Sequence, residues 1–170
     1  RYHYGMTASV PSSGDVVING VISAGGTGDT NPSLFVDNGG TGTGTVILNN
    51  TNTYAGTTHI TSGTLLANAT AATSSTEVFV DGGTLGGHGS IAGAVSVASG
   101  GTLMAGDGSV GSTLTLGSDL TLNSGSAVAL ALDGSGAHSV LARSGSGTWT
   151  FDPNQACSAV SDEGIYVGEM

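Results

Sequence analysis

Gly63-Thr64-Leu65, Gly83-Thr84-Leu85 and Gly101-Thr102-Leu103 are three copies of one tripeptide, and Gly44-Thr45-Val46 is a looser copy ahead of them. Their first glycines, Gly44, Gly63, Gly83 and Gly101, are almost evenly spaced. Each copy follows a polar or glycine-rich corner and opens an apolar stretch, which is the sequence mark of a repeated structural unit stacked on itself. The spacing predicts that Leu65, Leu85 and Leu103 form one internal column, with each rung hydrogen-bonded to the next.

Composition agrees with a repeat protein. The 170 residues include 31 glycines and 3 prolines, and 8% are charged, against roughly 7% glycine and 25% charged residues in average domains. No Gly-X-Y period exists, so the glycine is not collagenous. Aliphatic residues fall in ordered groups and 38% of the chain is hydrophobic, which a disordered linker would not show. The length suits one elongated domain with a real core.

Charge narrows the partners. The formal net charge is -10, with no lysine and only Arg1 and Arg143 as permanent cations. Nucleic acid needs clustered basic residues, and an anionic membrane surface needs the same. No apolar run approaches the ~20 residues of a membrane helix, so no membrane insertion is expected. Cys157 is the one cysteine, which rules out an intrachain disulfide and reads as a small buried hydrophobe. A chain opening at Arg1, with no signal peptide, is expected to be a mature or truncated product.

Period-2 alternation recurs and helical periodicity does not. Large apolar side chains alternate with small or hydroxyl ones in Val95-Ser96-Val97, Leu114-Thr115-Leu116, Leu120-Thr121-Leu122 and Val128-Ala129-Leu130-Ala131-Leu132. That places the large set on one face of a strand and Thr, Ser and Ala on the other. Gly-Ser, Asn-Gly, Asp-Gly and Gly-Gly corners separate the strands. Asp81-Gly82, Asp107-Gly108 and Asp133-Gly134 recur at one equal interval and suggest turns of that length in the coil. Ala67 to Ala72 is the one weak helix candidate.

These residues carry a family resemblance. Gly44 to Leu48, then Asn52-Thr53-Tyr54-Ala55-Gly56-Thr57-Thr58-His59-Ile60, then Ser62 to Leu65, resemble the autotransporter-associated β-strand repeat of bacterial passenger domains. The Asn-Thr-Tyr-x-Gly step ahead of Thr-x-Ile and Gly-Thr-Leu is the specific part. Val95 to Gly108, Leu114 to Leu122 and Gly125 to Asp133 are similar to the last rungs of such passengers, and Val16 to Ser23 to their Gly-x-Ile-Ser rung. The resemblance spans about residues 14 to 142. It implies an all-β fold, a right-handed parallel β-helix over residues 1–142 with residues 143–170 as a cap or assembly strand. It also implies a secreted chain, extracellular or held at the bacterial cell surface. No translocator barrel with alternating ~10-residue strands is present in this chain, so it reads as a released fragment or as a relative exported by another route.

Catalysis finds little support. A polysaccharide lyase needs carboxylates on Ca²⁺ beside a cationic side chain, and Arg143 is the sole internal cation. Asp107 and Asp133 could stack as a carboxylate pair one rung apart, but their Asp-Gly context is that of turns. There is no Gly-x-Ser-x-Gly elbow and no His-Glu-x-x-His motif. His3, His59, His88 and His138 lack metal-ligand spacing, with His59 the one expected on a strand face. Gly25-Gly26-Thr27-Gly28-Asp29 resembles a calcium repeat whose aspartate arrives one residue early and which has no tandem copy. No cofactor is expected, and calcium is the only metal with even this slight sequence support.

Aromatic residues cluster towards the two ends, with none between Val80 and Thr148. A β-helix has strand edges at each end that must be capped or paired with another molecule. The expectation is therefore a structural protein that self-assembles as a homo-oligomer or polymer through Tyr2, Tyr4, Trp149, Phe151, Ile165, Tyr166 and Val167. Ile165-Tyr166-Val167 reads as one short strand able to add to an open edge. The alternative is an adhesin fragment that binds surface glycans or host matrix. A polysaccharide-active enzyme is the distant third.

Overall fold

A computed structural model describes residues 6–9, 13–23, 33–37, 39–40, 42–73, 76–153, 156–161 and 164–169; for 6–9, 156–161 and 164–169 it describes backbone pairing alone. Among these residues there are eighteen short strands and no helix. The chain begins with pairs of strands: β1 (Met6–Ser9) and β2 (Asp15–Ile18), β3 (Leu34–Asp37) and β4 (Thr45–Leu48), β5 (Thr58–Ile60) and β6 (Thr64–Ala67). Three triplets follow: β7 (Val78–Val80), β8 (Thr84–Gly86) and β9 (Ser90–Ile91); β10 (Val95–Val97), β11 (Thr102–Met104) and β12 (Thr113–Leu116); β13 (Leu120–Leu122), β14 (Ala127–Leu132) and β15 (Val140–Arg143). Last come β16 (Trp149–Phe151), β17 (Ala156–Ser161) and β18 (Gly164–Glu169). The stretch expected as a weak helix, Ala67 to Ala72, is instead the end of β6 and a turn.

Three sheets result. The first runs β1-β3-β5-β7-β10-β13-β16, the second β18-β17-β14-β11-β8-β6-β4-β2, and the third β15-β12-β9. From β7 onward the chain visits them in rotation, and every pairing between these strands is parallel except β17 with β18. The circuits are unequal: the one from Val78 to its partner Val95 is short, and the one from Leu120 to its partner Trp149 is much longer. The equal Asp-Gly spacing is therefore not the period. Asp81 follows β7 at the corner between the first and second sheets, whereas Asp107 and Asp133 follow β11 and β14 at the next corner.

Register explains the repeated tripeptide. In the second sheet Val16 pairs with Val46, Val46 with Leu65, Leu65 with Leu85, Leu85 with Leu103 and Leu103 with Val128. Val46, Leu65, Leu85, Leu103 and Val128 are buried, and Thr45, Thr64, Thr84 and Thr102 form an outward row beside them. Glycine opens the copies at Gly83 and Gly101 because the previous circuit lies against it, while Gly63 adopts a positive φ of 73°. A Cβ on Gly83 would sit 2.8 Å from the Gly63 carbonyl oxygen, and one on Gly101 would strike the Val80 carbonyl. Inner residues of all three sheets, such as Ile60, Leu85 and Leu116, join one apolar cluster. Full burial of each is worth about 1.5–3 kcal/mol.

Strand β14 departs from strict alternation. Val128 and Ala131 point inward while Leu130 and Leu132, expected on the inner face, are half-exposed. Only Ala127 to Ala129 pair with β11, whereas all six residues pair with β17. Beyond Ala129 the strand outruns its neighbour, and Ser139 captures it: the Ala131 N–H donates to Ser139 Oγ and the Ser139 N–H to the Ala131 carbonyl. The alternation slips by one residue there.

The Asn-Thr-Tyr step has a structural reason of its own. Buried Asn52 Oδ1 accepts from the Ile22 N–H at 2.7 Å, and its Nδ2 donates to the carbonyls of Asn50 at 3.0 Å and Ala72 at 2.5 Å. One side chain thus ties the circuit before it to the circuit after it. Buried Tyr54 reaches Thr58 Oγ1 with its hydroxyl at 2.5 Å. Asn52→Ala leaves the Ile22 N–H and the Ala72 carbonyl without these partners, at about 1–3 kcal/mol for the buried carbonyl and about 1 kcal/mol for the part-buried N–H. Urea titration should show a loss of about 2–4 kcal/mol with an unchanged slope; a loss under about 0.5 kcal/mol would contradict the tie.

Candidate functional site

The end of the stack carrying β15, β16 and β18 has apolar side chains exposed on its edge strands. Trp149 and Phe151 lie on β16, the last strand of the first sheet, in register with Leu120 and Leu122 of the core. Trp149 packs against the core, yet its indole N–H is buried with no acceptor among the described residues. Phe151 meets it edge to face, 6.4 Å between ring centroids at 74°, and is 45% exposed. On β15, the edge strand of the third sheet, Val140 is 37% exposed.

The second sheet continues further. Strand β17 adds to β14 in parallel, and β18 returns antiparallel on β17, placing Ile165, Tyr166 and Val167 opposite Val160, Ala159 and Ser158. The end is stepped: the third sheet stops first, the first sheet one circuit later, and the second sheet one strand beyond that. Of the seven residues expected at assembly ends, the structure brings Trp149 and Phe151 together and places Ile165, Tyr166 and Val167 on the neighbouring edge strand. Tyr2 and Tyr4 lie outside the described residues.

A second feature escapes sequence reading. Phe35, His59 and Phe79 stack on the outer face of the first sheet, with centroids 5.2 and 4.8 Å apart and rings within 15° of parallel. His59 Nδ1 lies 3.1 Å from Asp81 Oδ2 and Nε2 lies 3.0 Å from Thr57 Oγ1, so both ring nitrogens have partners. The three rings belong to successive circuits of unequal length, Phe35 pairing with His59 and His59 with Phe79. Only that register reveals the stack, although the expectation of His59 on a strand face pointed to one member.

The remaining candidates sit apart. Asp107 Oδ1 accepts the Ser109 N–H, and Asp133 Oδ1 accepts from Ser135 N–H, Ser135 Oγ and Ala137 N–H. Each carboxylate closes its own turn. Desolvation pushes Asp107 up, but hydrogen bonds from Ser109 and Ser112 and the charge of His88 outweigh it and hold the carboxyl below the ordinary 3.8. The Ser135 hydroxyl, then backbone N–H groups, lower Asp133 against a smaller desolvation. Arg143 donates to the Gly147 carbonyl, and His138 lies beside the Gly136 carbonyl in an exposed turn. No group of three His, Cys, Asp or Glu converges among the described residues. His3 and the stretch Gly25 to Asp29 lie outside them, and Cys157 is described only as the partner of Val128. No described helix is long and apolar enough to cross a membrane.

Comparison of the chain with family models, with curated proteins and with solved structures produced no match in any of the three.

The lowered aspartates set a pH dependence with a definite sign. A carboxyl held below its unfolded value stabilises the fold above that value, and the contribution is lost as pH falls through the folded one. Asp133→Ala should therefore lower the Tm at pH 7, and its deficit against the parent protein should shrink below about pH 3.8. A deficit that stays constant into acid would contradict the carboxylate's role.

Proposed function

We propose that this chain is an extracellular structural protein: a right-handed parallel β-helix of the autotransporter-associated repeat type, exposed at or released from a bacterial surface, whose end joins a neighbouring copy. The rotation of the chain through three parallel sheets and the Asn52 tie at the specific motif support the repeat reading. The joining role rests on one observation, the Trp149–Phe151 pair on an edge strand, with Phe151 45% exposed and a buried indole N–H lacking an acceptor among the described residues. Covering a Phe side chain gains about 1.5–3 kcal/mol, and an arriving strand supplies a carbonyl within reach of the edge. Because β18 runs antiparallel, a partner strand arriving at the second sheet meets an edge of opposite direction to that presented by β16. The joint is therefore specific in orientation. The acidic, Thr-rich exterior keeps the chains soluble until this end is engaged.

A second reading is an adhesin segment for surface glycans, favoured by the Phe35–His59–Phe79 stack. Its last ring faces only Ser96 on the next strand, and the Asp81 carboxylate lies nearby. Aromatic faces flanked by carboxylates suit sugar rings. No reaction is proposed, since Asp107 and Asp133 are each held by their turns.

Sedimentation of the parent protein against Phe151→Ser and a chain lacking residues 151–170 tests the joining role. Extended assemblies should form in the parent at near-physiological salt and be lost in both variants. Assembly that persists unaltered in the shortened chain would refute it.

A further inference from the structure

The chain holds two Asn-Gly steps, Asn19-Gly20 and Asn38-Gly39. Asparagine ahead of glycine is prone to lose its side-chain amide, because glycine has no Cβ to shield the following nitrogen or to restrict its turning. That nitrogen attacks the asparagine carboxamide carbon within the same chain, and closeness replaces any need for a second molecule as nucleophile. The structure treats the two steps differently.

Asn19 follows β2 and is exposed, and Gly20 stands in a bend. A Cβ on Gly20 would meet nothing within 4 Å, so the backbone there is open to movement. Among the described residues no group accepts from the Gly20 N–H. The carboxamide beside it is already polarised, because Asn49 Nδ2 donates to Asn19 Oδ1 at 2.9 Å. Asn50 Nδ2 donates to the main-chain carbonyl of the same residue at 3.2 Å. Register supplies these donors: Ile18 pairs with Leu48, which sets Asn49 beside Asn19. Gly39 is the contrast. Its N–H donates to Asp37 Oδ1 at 2.9 Å. A carboxylate against an N–H opposes loss of that proton, and the attacking form of the nitrogen is the deprotonated one.

We infer that Asn19 is a site of self-modification by deamidation, with Asn49 as the donor to the oxygen on which charge develops. Hydroxide takes the proton of the Gly20 nitrogen, which forms a bond to Asn19 Cγ. Negative charge gathers on Oδ1, where Asn49 Nδ2 donates. The bond from Cγ to Nδ2 then breaks, and the amide nitrogen takes a proton from water and leaves as ammonia, restoring the hydroxide. A cyclic imide remains. Water opens it at either carbonyl, giving an aspartyl residue or an isoaspartyl one whose main chain runs through the side chain. The net reaction consumes water and releases ammonia. Either product adds a carboxylate at the end of β2, the last strand of the second sheet among those described, which already begins with Asp15. Charge on an edge strand discourages the addition of another strand. The isoaspartyl form also displaces the carbonyl that Asn50 holds. None of this depends on the Trp149–Phe151 end.

Peptide mapping by mass spectrometry, on the parent protein incubated for several weeks at pH 7 and at pH 9, reads both Asn-Gly steps in one molecule. Position 19 should be converted several times faster than position 38, and faster at the higher pH. In guanidinium chloride, where the contacts of the fold are gone, the two rates should converge. Asn49→Ala removes the donor at an exposed position. One oxyanion donor in a water-excluded site is worth about 10²–10³ in rate, and exposure reduces the expected slowing at position 19 to about 3-fold to 10-fold. Gly20→Ala, whose Cβ has room, should slow position 19 and leave position 38 unchanged. Should Asn49→Ala fail to fold, the ratio of the two sites in folded against denatured parent decides. An unmodified position 19, equal rates at the two steps in the folded parent, or an Asn49→Ala variant that converts as fast as the parent would overturn the inference.

Discussion

Backbone pairing between successive circuits, in a register that never loses the inner column, is the constraint on which everything else depends. Val16, Val46, Leu65, Leu85, Leu103 and Val128 share one line because each strand of the second sheet pairs residue for residue with the strands beside it. A slip of one residue would exchange that line with the threonine row or the outward row of Val17, Ile47 and Leu66, turning every large side chain to the other face. Circuits of very different length are tolerated because the corners absorb the difference. Asn52 reinforces the register by bonding to the circuits on both sides of its own.

The same constraint decides what the surface can present. Outward residues line up as surely as inward ones, so rows of like chemistry run along each sheet: threonines and aliphatics on the second, rings and then hydroxyls on the first. Asp81, Asp107 and Asp133 stand at corners, whereas Asp15 and Asp37 stand on strands β2 and β3. The edge strands carry exposed apolar side chains, Val17 at one end of the stack and Val140 and Phe151 beside half-buried Trp149 at the other.

Much of the fold is legible in sequence where the motif is local. Gly-Thr-Leu announces the corner, the outward threonine and the inward leucine, because close approach of the previous circuit excludes a side chain at Gly83 and Gly101. Alternation misplaces Leu130 because its burial is set by Ser139 and by the absence of β11 beyond Met104, neither of which alternation records. The even Asp-Gly spacing misleads for a similar reason: identical turn chemistry serves different corners. At the candidate site, Trp149 and Phe151 stand out as isolated aromatics, but the stepped end does not, since it depends on β18 reversing direction. The ring stack is hidden because Phe35, His59 and Phe79 come from circuits of unequal length.

Electron microscopy of the purified protein at low and near-physiological salt tests the central claim most directly, that the end bearing Trp149 and Phe151 joins copies. Screening should convert dispersed particles into regular end-to-end fibres or sheets of them. Single short rods at both salt concentrations would contradict it.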